Sequence, residues 1–268
     1  MTRTLRHLAL FGFAILFLMP VYVLLVTSFK SAGEVDVVHM WTLPKHFSFD
    51  TFRAVWPKLE PGMINSLILA LPASLISSFL GAANGFVLAK WRFPGADVVF
   101  PVILFGKFIP YQAILIPMFQ VMVQLRLFGG LDGLILVHII YGLPITTLIF
   151  RNYFMGLSEE VIEAAKVDGA GMLRTFALIG LPLSLPAFAV SMIWQFTSAW
   201  NDFLFGVVMT RTEFNPVTVA LNNIAGAQTV PFNQAMASAF LASVPTLIVY
   251  LLLGRFFMRG LMAGALKG

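Results

Sequence analysis

The chain contains no cysteine, so disulfides and thiolate metal sites are excluded. It is also short of charge. Only 11% of its 268 residues are charged, against roughly 25% in an ordinary globular domain. A soluble protein of this length would need a polar coat that is missing here. No G-x4-G-K-[ST] pattern occurs. Gly106-Lys107 is the sole Gly-Lys pair, and Phe108 follows it. ATP binding through a P-loop is therefore excluded. No H-E-x-x-H, G-x-S-x-G or paired-histidine spacing appears, so no catalytic or metal residues and no cofactor are expected, and the chain is not read as an enzyme. The formal charge of +5 has no basic run or aromatic-interleaved patch behind it, which argues against a nucleic-acid partner. No internal repeat or inverted symmetry of the secondary-transporter kind is visible.

What is there is oil. Hydrophobic residues make up 59% of the chain, and a helix needs about 20 of them in a row to cross a bilayer. Six such spans are expected, at about 8–29, 63–89, 97–124, 132–154, 184–209 and 234–257. The fold class is thus an all-α polytopic membrane protein in contact with lipid. The first span follows Arg3 and Arg6 but is too long for a signal peptide and has no A-x-A site, so it reads as an uncleaved helix. With the N-terminus inside, the cytoplasmic basic residues are Arg3, Arg6, Lys90, Arg92, Arg151, Lys166, Arg174, Arg255, Arg259 and Lys267. The outside set is Lys30, Lys45, Arg53, Lys58, Arg126 and Arg211. That excess places both termini in the cytoplasm. The outer loops are then about 30–62, 125–131 and 210–233. Asn215-Pro216 and Pro231 mark turns in the last.

One polar segment, about 155–183, separates the fourth and fifth spans. Ser158 is placed to cap a helix, and Glu159 and Glu160 suit its positive first turn. Gly169 can stop that helix in a left-handed turn, and Gly171 adds a second flexible point. A new helical run starts at Met172, and Pro182 closes the segment. A basic interfacial helix is a poor fit, because the segment opens acidic. A docking helix fits better, with Ala164 and Ala165 as a smooth face and Glu163 as a specific charge.

Glu163-Ala164-Ala165, Gly169, Ile179 and Leu181-Pro182 match E-A-A-x3-G-x9-I-x-L-P at every position. The chain thereby resembles the integral-membrane subunits of binding-protein-dependent ABC importers. The resemblance implies a type I ABC importer permease fold, with a single transmembrane domain over 1–268. It implies that those seven residues form the coupling loop to a separate ATPase. It also implies the partners: a second permease subunit in a heterodimer, an ATP-binding subunit dimer and an extracytoplasmic sugar-binding protein. The implied location is the bacterial inner membrane. Trp41, Leu43-Pro44, Phe49 and Phe52, then Trp200-Asn201-Asp202, then Gly260 to Gly268 are similar to carbohydrate permeases, specifically the second, maltose-transporter-like subunit. Met262 and Leu266 are mild departures from its terminal pattern. Ile109 to Gln112, Leu136 to His138 with Tyr141 to Leu143, and Asn201 to Val208 with Thr218 to Asn223 resemble glucose/mannose-type permeases. A sugar-derived anion or a glycerol phosphate stays open as substrate, and so does a self-sufficient secondary transporter.

Polar groups at membrane depth usually face a bundle interior or a cavity. In the fifth span Ser191, Gln195, Ser198 and Asp202 fall on one helical face, flanked by Trp194 and Asn201. Amides, a carboxylate and an aromatic ring suit a sugar; hydrogen bonding between helices would use the same residues. Lys107 is the oddest residue, roughly 15 Å into the third span by helical rise. It and Gln112 join the candidate substrate path, and Lys107 would also serve an anion. A Lys107–Asp202 pair is not expected, because the two lie at different depths. Pro110 and Pro117 are expected to bend that span. Asn84, Gly81 and Gly85 read first as close helix packing, and His138 as a packed residue.

Overall fold

The computed structural model describes residues 3–36, 38–91, 93–226 and 230–265, with the side chains of 255 and 257–265 excepted. The terminal Leu266, Lys267 and Gly268, Arg92 and part of the 210–233 loop lie outside the described residues. Among the described residues every element is helical. Two compact units emerge: residues 1–63 with 217–244, and residues 64–216 with 245–268.

The first unit opens with α1, Arg3–Ser28. Its buried residues are Val26, Thr27 and Ser28 at one end, while Phe11, Phe13, Leu16 and Phe17 stand exposed. A helix apolar all round and bare of protein is a membrane span. The chain then folds back on itself around Lys30, which is only 1% exposed. The Lys30 ammonium donates to the His39 carbonyl at 2.7 Å, and its own carbonyl accepts from Asn233 Nδ2 at 2.9 Å. Phe29 packs among Phe47, Phe49 and Phe52 with ring centroids 5.0–5.9 Å apart. This ordered loop leads into α2, Asp50–Lys90. At 1.5 Å per residue α2 is about 60 Å long, twice the roughly 30 Å of a hydrocarbon core. The expected loop 30–62 is therefore helical over its second half.

The second unit contains α3, Ala96–Phe105, and α4, Leu115–Gln124. The third span was expected as one bent helix over 97–124; instead it is broken, with 87° between its halves. The break falls at Pro110. Ile109 before it is extended, at φ −71°, ψ 120°, because a following proline disfavours the helical region. Pro117 causes no break, since it sits in the first turn of α4, where its missing N–H has no helical partner anyway.

Next come α5, Leu131–Met155, α6, Glu159–Val167, and α7, Met172–Thr175. A π-helical turn, Phe176–Gly180, precedes α8, Leu181–Leu183. There Leu181 N–H bonds Phe176 O, five residues back. The wider turn lets the helix run on into Pro182, which has no N–H to give. After a 77° bend at Ser184 comes α9, Leu185–Trp200. The fifth span was expected to continue to 209. It stops at Trp200, and α10, Leu204–Met209, begins anew. Asp202 decides this: its carboxylate accepts from the N–H groups of Phe205 and Gly206, at 3.3 and 3.0 Å. A short carboxylate that bonds nearby amides competes with helix continuation.

In the first unit α11, Val217–Ala225, and the start of α12, Phe232–Ala265, follow. Among the described residues four helices are long and apolar enough to cross a membrane, or up to six if each bent pair is one span. In the second unit Gly81 lies against Thr146 and Gly85 against Phe150. Glycine here lets the backbones of α2 and α5 approach closely.

Candidate functional site

The polar segment after α5 is built as a helix with one buried side and one open side. Ser158 Oγ accepts from Glu160 N–H at 3.2 Å, and Glu159 and Glu160 occupy the first turn. At the other end Gly169 adopts φ 78°. Ala170 N–H bonds Ala165 O at 2.9 Å, and Gly169 N–H bonds Lys166 O at 3.0 Å. This pair of bonds is the Schellman arrangement, in which a left-handed glycine lets the chain reverse.

Ile162 and Ala165 point inward. Ile162 joins a cluster of Phe86, Phe150, Phe154, Phe176 and Ala187. Phe86 and Phe154 pack edge to face at 5.3 Å, and Phe150 and Phe188 at 4.6 Å, a favoured geometry for aromatic quadrupoles. Glu163 and Ala164 point outward, with Val167 87% exposed beside them. The two alanines thus serve different sides, where the spacing suggested one shared face. Gly169 is exposed, Ile179 and Leu181 are half-buried, and Pro182 is exposed. Leu181 packs against the aromatic cluster.

Three further bonds hold this segment. Tyr153 Oη donates to the Leu183 carbonyl at 2.6 Å, beside the bend. Lys90 Nζ donates to the Leu157 carbonyl at 2.8 Å and to Glu159 Oε1 at 2.6 Å. The Lys166 ammonium lies 5.2 Å from the Trp91 ring centroid.

The candidate path residues of the expected fifth span divide into three groups. Gln195 is 2% exposed and donates to the His138 carbonyl at 2.7 Å, while Gly142 opposite has no side chain to obstruct it. Ser191 is equally buried and shares a hydrogen bond with Ser78 at 2.8 Å. These two tie α9 to α5 and α2. Trp194, Ser198 and Asn201 face the other way, into an open groove of about 580 Å³. Thr197 and Tyr250 complete its polar and aromatic lining. The Thr197 hydroxyl is buried there without a hydrogen-bond partner among the described residues. The helical spacing of four and three therefore does not give one working face. Tertiary packing splits it.

Asp202 forms the third group. Besides capping α10, it lies 3.4 Å from His138 Nε2. His138 is 4% exposed, and its ring meets Phe205 edge to face. Lys107 is remote from Asp202 in role: it sits at the broken third span, with its ammonium 5.9 Å from the Tyr141 ring. A cavity of about 310 Å³ lies there, lined by Gly106, Lys107, Tyr141 and Pro144. Gln112, in the short turn after Pro110, is exposed. Tyr250, Thr197 and Lys90 were not singled out from sequence. Tyr250 and Thr197 read as ordinary span residues, and Lys90 as one more charge at a helix end.

These features describe a multi-pass membrane protein with a rigidly seated, outward-facing helix between two spans. Residues 81–263 match the family of binding-protein-dependent transport system inner membrane components, and the chain belongs to that family. It is 40% identical over its whole length to a probable ABC transporter permease of Pyrococcus horikoshii, covering 98% of that protein. It is 34% identical to the glucose import system permease of Saccharolobus solfataricus, across 97% of this chain and 93% of the relative. Among solved structures, a chain of a bacterial ABC transporter that imports the acidic polysaccharide alginate superposes with a TM-score of 0.82. It covers 96% of this chain and 99% of that one at 22% identity, which speaks for the fold.

Proposed function

We propose that this protein is the membrane-spanning permease subunit of an ATP-driven sugar importer of the inner membrane, with both termini cytoplasmic. Residues 1–268 act as one permease domain. A second permease subunit completes the pathway. An ATPase dimer docks on α6, and an extracytoplasmic binding protein delivers sugar to the loops about 30–62 and 210–233. The observation that carries this reading is α6 itself. Ile162 is sunk among aromatic rings and Ala165 is buried on the same side, while Glu163 and Ala164 are exposed. A helix held on one side and bare on the other suits a lever worked by a partner.

A carbohydrate cargo is supported by the identity to the glucose import permease. The groove at Trp194, Ser198, Asn201 and Tyr250 adds to it. Its chemistry is half-exposed aromatic faces, an amide and hydroxyls beside aliphatic side chains, with no charged group among the described residues. That favours a neutral sugar. A second reading, a sugar-derived anion or glycerol phosphate, is favoured by one observation only: Lys107 at the broken span.

The test is ATP hydrolysis by the reconstituted complex in lipid, with its binding protein, across neutral sugars and sugar phosphates. Stimulation by a neutral sugar is the expected result. Stimulation by a phosphate ester alone selects the second reading. A chain that recruits no ATPase would remove the coupling role of Glu163, Ala164, Ala165, Gly169, Ile179, Leu181 and Pro182.

A further inference from the structure

Lys90 is the last residue of α2, and its side chain is fully buried. Ala82, Phe86 and Lys90 are spaced four apart, so they form one stripe along α2. The first two belong to the aromatic bed beneath α6. Lys90 extends that stripe by one turn and changes its chemistry from apolar contact to hydrogen bonding. Its acceptors are Leu157 O and Glu159 Oε1, which bracket the cap residue Ser158. The pair also joins two helix ends of opposite polarity. A cation sits at the negative C-terminus of α2 and a carboxylate at the positive N-terminus of α6, each favoured by its own helix.

The far end of α6 is held by the neighbouring residue. Lys166 lies over the ring of Trp91. The last residue of α2 and the one after it therefore contact the first and last turns of a nine-residue helix. Such a helix is marginal alone, and its apolar footing consists of two buried residues, Ile162 and Ala165. Two contacts near the middle would let it rock; grips at both ends prevent that.

We propose that Lys90 is a positioning residue for coupling: it fixes the attitude of α6 against α2, so that displacement of α6 reaches the spans. This rests on the reading of α6 as the ATPase-coupling helix. When Lys90 is truncated, Glu159 stays mostly exposed while the Leu157 carbonyl loses its donor. The result is a looser helix rather than an unfolded chain.

The experiment compares K90M, E159Q, E159K and E163K in the complete complex in nanodiscs, reading sugar moved per ATP hydrolysed. K90M and E159K lower that ratio roughly 2- to 30-fold, the span that changes along a coupling network produce. E159Q costs less, because Lys90 keeps the Leu157 carbonyl. Position is read separately. The chain has no cysteine, so Val167→Cys in α6 and Leu80→Cys in α2, both at exposed sites, accept a spin-label pair directly. The distance distribution is narrow in the parent and in E163K, and broad in K90M and E159K. A purely structural lysine would instead lower yield while leaving the ratio and the distribution of the surviving protein intact, which overturns the proposal. E163K uncoupling alone also overturns it, with the coupling reading standing. No uncoupling by any of the four overturns both.

Discussion

Glycines at 85, 169 and 171 show how differently one residue type is used. A Cβ on Gly85 would lie 2.6 Å from the Arg151 nitrogen and 2.7 Å from Phe150 Cβ. Backbone cannot yield as a side-chain tip can, so Gly85→Ala forces α2 from α5. The expected cost is about 1–3 kcal/mol, seen as a lower thermal unfolding midpoint of the purified protein. Gly169 has open space around it but a φ of 78°. Gly169→Ala therefore costs only the left-handed strain, about 1–2 kcal/mol. Gly171 has neither constraint, so Gly171→Ala is neutral or slightly stabilising in the same assay. The two buried lysines are just as specific. Lys30 and Lys90 count equally as charges near span ends, yet each is spent on loop carbonyls.

At the scale of elements, α9 has two faces with different fates. Cysteines placed at Ser198 and Asn201 react with a water-soluble thiol reagent and are protected by transported sugar. Cysteines at Ser191 and Gln195 do not react, because those positions are buried against α2 and α5. Equal reactivity on both faces would show that the packing differs in the membrane. The 31–49 loop carries its own pH dependence. The Lys45 backbone N–H holds the Glu34 carboxyl below its ordinary 4.5, and the His39 ring holds that of Asp36 below 3.8. Depressed carboxyls support the loop above their ordinary range and release it as pH falls through the lowered values. Protection of the His39 and Lys45 amides, taken relative to their intrinsic exchange rate at each pH, therefore holds at neutral pH and falls only in acid below that range.

At the scale of the molecule, the cargo decides what Lys107 does. For a neutral sugar, Lys107→Gln leaves the transport KM within about threefold, the loss of at most a surface-like interaction of under 1 kcal/mol. A loss far beyond that would assign the cavity to an anion. The sequence by itself determined the membrane class, the six apolar runs and the helix–glycine–helix plan of 155–183. These rest on composition, 3.6-residue periodicity and local capping, all of which act over a few neighbouring residues. Ser158, Gly169 and Pro110 could be read that way because their partners are next to them in the chain. Only the tertiary structure decided that Ala164 faces out while Ala165 faces in. It alone divided Gln195 from Trp194 and turned Lys90 from a charge at a helix end into a grip on α6. It also placed Asp202 beside His138. Each of those outcomes depends on a group tens of residues away. Burial of polar atoms is tolerated only where such a partner arrives, and no local pattern names the partner.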